Sequence, residues 1–378
     1  MRRVRAVLVL AALGAFGLAN AGPAAVVRRV APATGAVGAI VAGLAAPLAE
    51  VVTPAPSAPP PAPPPASPSE GAVTLAFGGD IHFEGVLRNR LAEEGDAALA
   101  PAAALFTGAD LVVANLETAV TERGEPEPKQ FTFRTGPAAF GALAGAGIHV
   151  ASMANNHGMD YGPVGLEDSL AAAASAGYPI VGIGRDAAQA YAPYVREIRG
   201  QQIAVIGASQ VIDAALLEHW SAGEAKPGVA SAYDEARLAA AVEAAHALGP
   251  TTVVVVFLHW GTETVTCPTE RQRRLADRLV AAGADVVVGG HAHRVLAAGF
   301  KAGAVVGYGL GNFAFYTAGG PGAVSGVLKV VVAEGRAESY SWSPARLSRG
   351  VAPPLSGREA DRQHDAWRRL RACSDLTD

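Results

Sequence analysis

Two pairs of potential metal ligands stand two residues apart in the sequence. Asp80 and His82 form the first pair, and His291 and His293 form the second, within Gly-Gly-His-Ala-His. Side chains two residues apart on an extended chain point to the same side, so both members of a pair can reach one ion. Neutral imidazoles bind Zn, Mn, Fe or Ni, and carboxylates beside them broaden that choice. The spacing therefore predicts a site for a divalent transition metal.

Three further groups of ligand-type residues each follow an apolar run. They are Glu117, the pair Asn156 and His157, and His259. A single histidine near a strand end is more often a hydrogen-bonded structural residue than a ligand. Five such groups are a different case, because the carboxyl ends of strands in an open α/β sheet form the edge where ligands bind. The whole set favours a metal site.

Short apolar runs alternate with helix-type segments from Glu70 onward and supply the elements that position these residues. The predicted strands are Val73–Gly78, Leu111–Ala114, Val150–Met153, Ile180–Val181, Ile203–Gly207, Val253–Leu258, Val286–Val288 and Val305–Tyr308. The predicted helices include Ala138–Ala144, Gly165–Ala176, Asp234–Leu248 and Thr269–Ala282. Continuous apolar strands indicate a sheet covered by helices on its faces, so the predicted fold class is α/β. A late antiparallel pair, Gly326–Val332 and Ala337–Trp342, and a charged surface helix over Arg358–Arg371 complete the prediction.

The composition suits a globular protein and excludes one class of partner. Half of the 378 residues are apolar and 17% are charged, which is typical of a chain with a large core. The net charge is −4, but residues 1–69 hold five arginines and one glutamate, so the remaining 25 basic and 33 acidic residues give −8. Non-specific nucleic-acid binding needs a basic field, so we expect no nucleic-acid partner.

The first 52 residues have the order of a secretory signal or a membrane anchor. Three arginines precede the apolar run Ala6–Ala19, and small residues follow it. A second apolar stretch, Val37–Val52, is short for a membrane span of about 20 residues, and the sequence leaves open whether the first run is cleaved or retained. Residues 53–69 are rich in Pro and Ala and predict a semi-rigid polyproline II spacer. We expect residues 70–350 to form the folded domain and residues 351–378 a C-terminal tail with a short helix.

The two cysteines, Cys267 and Cys373, are too few for a disulfide framework. In an oxidising compartment they could pair and tie the C-terminal tail to the loop near Trp260. Two free thiols are an equally open alternative.

The order of these residues resembles that of the calcineurin-like metallophosphoesterases and, more closely, of the bacterial capsule-synthesis or poly-gamma-glutamate-synthesis CapA family. The matching stretches span about residues 75 to 315. They are Gly79-Asp80, Ala114-Asn115-Leu116-Glu117, Ala154-Asn155-Asn156-His157 with Asp160 and Gly162, His259-Trp260-Gly261-x-Glu263, Gly283-Ala284-Asp285 leading into Gly290-His291-x-His293, and Gly309-Leu310-Gly311-Asn312-Phe313. The resemblance implies a single domain with a four-layer α/β/β/α metallo-dependent phosphatase-like sandwich.

The same resemblance implies a site with two divalent metal ions, and the candidate metals are Mn, Zn and Fe. The ligands implied for one ion are Asp80, His82 and His293. The ligands implied for the other ion are Asn156, His259 and His291. An Asp bridges the two ions in the phosphoesterases, and the candidate here is the longer Glu117. His157 is implied as the proton donor to the leaving group, and Asp80 is the second residue expected to take part in catalysis.

Arg134 and Asn312 are the candidates for substrate binding. Arg134, in Phe131-x-Phe133-Arg134, could hold an anionic group of the substrate by bidentate hydrogen bonds. A surface arginine on a strand is an open alternative. Asn312 belongs to the last stretch that carries the family resemblance.

Two classes of function follow from the resemblance. The first is an exported, envelope-associated metal-dependent hydrolase or transferase that acts in the synthesis, anchoring or processing of a capsule or a poly-gamma-glutamate-like polymer. The second is a non-catalytic protein that binds or tethers an anionic polymer at the cell surface. The presence of His157 and of a full ligand set favours catalysis. The expected location is the extracellular face of the cytoplasmic membrane or the medium, and the expected partners are the polymer or a phosphoester, the membrane through the N-terminal segment, and other capsule-synthesis membrane proteins.

Overall fold

The predicted apolar runs form two β-sheets that stack face to face. The structure is a computed structural model that describes residues 71–317 and 319–378. The predicted signal or anchor region 1–52 and the spacer 53–69 lie outside the described residues. Within the described part of the chain, no helix is both long enough and apolar enough to cross a membrane.

The elements follow the predicted alternation of strands and helices. The strands of the described residues are β1 (Val73–Ile81), β2 (Leu111–Leu116), β3 (Ala119–Val120), β4 (Arg134–Thr135), β5 (Val150–Ser152), β6 (Ile180–Val181), β7 (Ile183–Gly184), β8 (Tyr194–Ile198), β9 (Gln201–Ser209), β10 (Gly228–Val229), β11 (Thr252–Trp260), β12 (Val286–His291), β13 (Ala298–Lys301), β14 (Ala304–Gly307), β15 (Asn312–Ala314), β16 (Val324–Ala333) and β17 (Arg336–Arg346). The helices are α1 (Val86–Glu94), α2 (Ala100–Ala103), α3 (Ala138–Gly145), α4 (Gly162–Ala176), α5 (Ala187–Ala190), α6 (Leu217–Trp220), α7 (Glu235–His246), α8 (Glu270–Ala281) and α9 (Gly357–Arg369). Single turns of 3-10 helix lie at Gly95–Ala97, Ala104–Phe106, Pro321–Ala323 and Leu370–Cys373.

Each sheet has a parallel centre. The first sheet has the order β17-β16-β1-β2-β5-β6, and β15 pairs with the end of β1. Its β1, β2, β5 and β6 are parallel, whereas β16 and β17 form the predicted antiparallel pair. The second sheet has the order β13-β14-β12-β11-β9-β8, with antiparallel strands at both edges. Two short two-stranded ladders, β10-β7 and β3-β4, lie outside these sheets.

The layer between the two sheets is a continuous apolar core. Leu75 and Phe77 from the first sheet and Val255, Phe257 and Val288 from the second are all fully buried in it. Burying a side chain of this size contributes about 1.5–3 kcal/mol. The strands that carry the polar groups at their ends are therefore held rigidly against each other.

Helices cover the outer face of each sheet. Phe140 of α3 and Leu166 of α4 lie in the outer core of the first sheet. Leu238 of α7 and Leu275 of α8 lie in that of the second. The order helix, sheet, sheet, helix confirms the predicted four-layer α/β/β/α sandwich.

The C-terminal segment packs onto this sandwich. Trp367 of α9 is buried against β17, and Thr377 and Phe300 exchange backbone hydrogen bonds of 2.9 Å. Cys267 and Cys373 form a disulfide. The sequence left pairing and free thiols open, and the structure has them paired.

Some elements had no clear sequence signal. Helix α1 and the edge strands β8 and β13 were not predicted. Strand β8 reads Tyr-Val-Arg-Glu-Ile and is exposed along most of its length, so no continuous apolar run marks it. It forms because an edge strand needs only one partner, here β9, to satisfy half of its backbone groups.

Candidate metal centre

Asp80 lies near the carboxyl end of β1, where the ends of the central strands meet. It is fully buried, and its Oδ1 accepts a hydrogen bond of 2.8 Å from Nδ2 of Asn115. Its Oδ2 lies 3.4 Å from Nδ1 of His293. Polar groups from separate strand ends therefore converge at one edge, as the parallel arrangement predicts.

Glu117 follows β2, and no described residue donates a hydrogen bond to its side chain. Its carboxylate is fully buried, and neither oxygen has a hydrogen bond within the described part of the chain. Oε1 lies 3.6 Å from Nε2 of His259 and 3.9 Å from Nε2 of His157. A buried carboxylate without a partner is costly, whereas a bound cation would satisfy it.

Three groups of residues within the described ranges bring their ligand atoms within 4.8 Å of one another. They are Glu117 with His259 and His291, Asp80 with Glu117 and His293, and Glu263 with His291 and His293. Glu117 belongs to two of these groups, which is what a bridging carboxylate requires. Nδ1 of His291 is also buried without a hydrogen-bond partner. Nitrogen and carboxylate donors with unsatisfied buried atoms fit a divalent transition metal.

The electrostatics of the site favour a positive charge beside Glu117. Burial and the charge of Asp80 raise the pKa of Glu117 well above its usual value. Burial acts to lower the pKa of His293, but the charge of Glu117 and the hydrogen bond and charge of Asp80 raise it to about 9. Burial and the charge of His293 lower the pKa of His291 to about 4, which keeps that ring neutral. Carboxylates that draw a proton onto a neighbouring histidine attract a metal cation for the same reason.

His259, in β11, lies beside Asn156. Nε2 of His259 is 2.8 Å from Oδ1 of Asn156, and its Nδ1 is 3.2 Å from Nδ2 of Asn115. Burial lowers the pKa of His259 well below its usual value, so the ring is neutral. The structure therefore brings together two of the three residues that the family resemblance assigned to one ion.

His157 is held by Asp160, three residues later in the chain. Its Nδ1 is 2.5 Å from Oδ2 of Asp160, and its ring stacks on Phe133 with the centroids 4.0 Å apart. Asp160 is fully buried and also accepts hydrogen bonds from the backbone nitrogen of Phe133 at 2.6 Å and from Nζ of Lys129 at 2.8 Å. Burial lowers the pKa of His157 although Asp160 acts to raise it. With Nδ1 bonded to Asp160, Nε2 is the nitrogen that faces Glu117.

His82 lies outside the three ligand groups. Its Nδ1 accepts a hydrogen bond of 3.0 Å from the backbone nitrogen of Glu84, and its ring packs on Phe315 with the centroids 4.0 Å apart. Burial lowers its pKa to about 3. Strand β1 ends at Ile81 and its ladder is irregular between Asp80 and Ile81, so the regular alternation on which the spacing argument rests is interrupted there.

The two predicted substrate-binding residues lie in different places. Arg134 contributes to a separate cleft beside Arg88, and its guanidinium lies over the ring of Tyr161, 4.8 Å from the centroid. Asn312 is buried in the site, where its Oδ1 is 2.8 Å from Nδ1 of His293 and its Nδ2 donates to a backbone carbonyl at 2.9 Å. Asn312 is thus placed to orient His293.

A cleft of about 310 Å³ opens over the site. His157 and His293 line it together with Arg294 and the exposed Glu263. Sequence reasoning assigned no role to Glu263, Arg294, Asp160 or Lys129. The positions of Asp160 and Glu263 within the family-like stretches were a usable signal, whereas nothing in the sequence marks Arg294 or Lys129.

The part of the chain that carries this site matches a known protein family. Residues 74–317 match the family model described as "Bacterial capsule synthesis protein PGA_cap". The chain belongs to this family. The match includes every residue of the three ligand groups and the pair His157 and Asp160.

Several curated proteins are similar to this chain over part of their own length. The chain is 31% identical over 252 residues to the PGA biosynthesis protein CapA of Bacillus subtilis, covering 65% of this chain and 64% of that protein. It is 32% identical over 192 residues to a probable polyglutamine synthesis accessory protein of Mycobacterium tuberculosis, covering 50% of each. It is 32% identical over 175 residues to the capsule biosynthesis protein CapA of Bacillus anthracis, covering 46% of this chain and 42% of that protein. The chain therefore spans between 42% and 64% of the length of these relatives.

Solved structures resemble this PGA_cap chain at lower identity. A hypothetical protein from Thermus thermophilus covers 73% of this chain and 100% of its own, with a TM-score of 0.45 and 16% identity. The sulfate thiohydrolase SoxB of Thermus thermophilus covers 82% of this chain and 61% of its own, with a TM-score of 0.46 and 15% identity. The two sheets and the helices that cover them define the fold of this chain.

Proposed function

We propose that this chain is an exported metal-dependent hydrolase that acts on an anionic polymer of the cell envelope during capsule or poly-gamma-glutamate synthesis. The observation that carries the proposal is the buried carboxylate of Glu117, which has no hydrogen bond and belongs to two ligand groups. Membership of the PGA_cap family and the printed names of its relatives support the polymer.

The ligand groups indicate how two ions would be shared. Asp80 and His293 would hold one ion, His259 and His291 the other, and Glu117 would bridge them. Bound divalent ions, either Mn, Zn or Fe, supply a Lewis acid and an activated water at neutral pH. Asn156, whose Oδ1 lies beside His259, completes the second ligand set.

His157 is the proton donor in this proposal. The 2.5 Å contact with Asp160 places the ring hydrogen on Nδ1 and aims Nε2 towards Glu117. Lys129 and the backbone nitrogen of Phe133 hold Asp160 in place by donating to it. In amide hydrolysis, the oxygen of water joins the acyl carbon while Nε2 of His157 accepts a proton from that water. The C–N bond then breaks, and the same proton passes from Nε2 to the leaving nitrogen.

Export is the third part of the proposal. The disulfide between Cys267 and Cys373 supports it, because disulfides persist in oxidising compartments and are rare in the cytosol. The signal-like order of residues 1–52 and the Pro-rich spacer over 53–69 support a position at the membrane surface. Other membrane proteins of polymer synthesis are the partners that such a position favours.

Metal content tests the proposal directly. The full-length chain, loaded under metal-replete conditions, is expected to hold about two equivalents of a transition metal by elemental analysis. The double variant Asp80→Ala, His291→Ala is expected to lose them. Hydrolysis of phosphoester and γ-glutamyl substrates should disappear on chelation and return with metal. A folded chain that binds no metal would overturn the hydrolase proposal and favour a polymer-binding tether.

A further inference from the structure

Arg294 lies at the wall of the cleft over the candidate metal site and has no acidic partner among the described residues. It follows His293 directly, and its Nη1 donates a hydrogen bond of 2.8 Å to the backbone carbonyl of His293. Within the described ranges no carboxylate lies within ion-pair distance of its guanidinium, although Glu263 lines the same cleft. Several other arginines of the body do have such a partner, for example Arg199 with Asp110. The remaining donors of Arg294 are therefore available to a ligand.

The loop that precedes β16 holds the guanidinium in place. A Cβ atom added to Gly322 would lie 3.0 Å from Nη1 of Arg294, so the loop backbone approaches the side chain closely. The carbonyl oxygen of Gly322 accepts a hydrogen bond of 2.9 Å from Nδ2 of Asn312, which fixes the loop to the end of β15. A guanidinium held from two sides loses little entropy when it binds an anion.

The rest of the cleft wall suits an alkyl chain. Phe131 and Tyr316 line the cleft and are 55% and 45% exposed. Both are large apolar rings at the surface, beside the polar groups His157 and Arg294. A ligand that combines methylene groups with a carboxylate would satisfy both the rings and the guanidinium.

We propose that Arg294 binds a carboxylate of the substrate on the unit next to the bond that is hydrolysed. The substrate class is an amide-linked chain that carries a carboxylate on every unit. This inference rests on the proposed function, because it assumes that the reacting bond lies at the ligand groups around Glu117. Arg134, the anion-binding candidate from the sequence, lines another cleft and is not part of this subsite.

Equilibrium binding tests the subsite without relying on turnover. A γ-linked glutamate tetramer is titrated by calorimetry into the metal-loaded full-length chain and into Arg294→Gln. The dissociation constant is expected to rise about 10- to 100-fold in the variant, since a hydrogen-bonded charge pair is lost. Arg294→Lys is expected to recover part of the affinity, because it keeps the charge but not the planar fork. The control Arg274→Gln, at an exposed helix position, is expected to bind like the wild type.

Two further ligands separate the possible anions. A tetramer with amidated α-carboxylates is expected to bind weakly and equally to wild type and Arg294→Gln. A glycerol phosphate tetramer is expected to bind without dependence on Arg294. Three results would each overturn the proposal. The first is an affinity that depends on Arg294 only for the phosphate ligand. The others are equal binding of the glutamate tetramer to wild type and Arg294→Gln, and no binding of that tetramer to the wild type.

Failure of this inference can be told apart from failure of the proposed function. Metal content and hydrolysis of a small phosphoester are measured on the same preparations. Arg294→Gln is expected to retain its metal and its melting temperature. A larger dissociation constant for the glutamate tetramer therefore reports the subsite alone. Loss of metal from Arg294→Gln would show that the residue acts only by holding His293 and would overturn the proposal.

Discussion

The backbone nitrogen of His291 donates a hydrogen bond of 3.0 Å to Oδ2 of Asp80, which lies 211 residues earlier in the chain. The bond joins the end of β12 in the second sheet to the end of β1 in the first. It also fixes the carboxylate of Asp80, whose other oxygen accepts a hydrogen bond from Nδ2 of Asn115. His291 adopts a left-handed φ of 88° to make this approach. Such a conformation is costly for a residue other than glycine and is typical of functional sites.

Gly290 is required for this approach of the two sheets. A Cβ atom at this position would lie 2.0 Å from Oδ1 of Asp80. Gly290→Ala is therefore expected to displace the carboxylate, to lower metal content well below that of the wild type, and to destabilise the fold by about 1–3 kcal/mol. Elemental analysis and urea unfolding measure the two effects. Gly249→Ala is the matched control, because the nearest atom to the added Cβ is Oγ1 of Thr252 at 3.6 Å. Similar metal loss in this variant would contradict the explanation.

Glu117→Gln separates metal binding from folding. The substitution keeps the shape of the side chain but removes the charge that bridges the two ligand groups. We expect metal binding to be lost while the metal-free chain keeps or gains thermal stability, because a buried carboxylate without a partner is removed. Elemental analysis and thermal unfolding of the metal-free chain check this. Glu122→Gln, at an exposed position, should change neither, and a Glu117→Gln chain with full metal content would show that another group bridges the ions.

Asp160→Asn tests the proton donor. The amide cannot orient the imidazole of His157 as the carboxylate does, so the wrong ring nitrogen can carry the proton. Hydrolysis is expected to fall by about 10²- to 10⁴-fold, with metal content unchanged. His157→Ala should have an effect of the same size, and combining the two changes should add little because they act as a unit. Undiminished hydrolysis in either single variant would rule out this donor.

His293 makes the metal-free chain sensitive to pH. Its pKa is raised from 6.5 to about 9 in the folded chain, so the stability linked to its proton is fully present below 6.5 and is lost as the pH rises through 9. We expect the melting temperature of the metal-free chain to fall across this window. Metal binding displaces the proton, so the rise in melting temperature on adding metal should grow over the same window. Parallel curves of melting temperature against pH, measured with and without metal, would contradict this linkage. His219→Gln, which replaces an exposed histidine, serves as the control.

The disulfide is expected to stabilise the C-terminal segment. It joins Cys267, in the loop between β11 and α8, to Cys373, and it closes a sequence separation of 106 residues. Replacing both cysteines with serine should lower the free energy of unfolding by about 2–4 kcal/mol. Urea unfolding under non-reducing conditions measures the difference. Reductant should lower the wild-type value to that of the variant, and a wild type that is insensitive to reductant would contradict the prediction.

The sequence alone was sufficient for the fold class and for the sheet edge at which the candidate ligands meet. Apolar runs such as Val253–Leu258 predict strands buried on both faces, because only a covered parallel sheet can hide such a run. Ligand-type residues at the ends of several of these runs predict one edge where they meet. The position of His259 beside Asn156 followed from these two patterns and from the family resemblance.

Tertiary structure alone decided which polar groups act on which neighbours. Regular alternation predicted His82 beside Asp80, and only the structure shows that its ring packs against Phe315, just beyond the end of β1. Arg294 and not Arg134 lines the cleft, because the choice depends on how loops from different parts of the chain pack. That no described residue donates a hydrogen bond to Glu117 likewise becomes visible only in the structure, where the carboxylate is fully buried. Local sequence patterns report the direction of a side chain within one strand, whereas these contacts arise between segments that are distant in sequence.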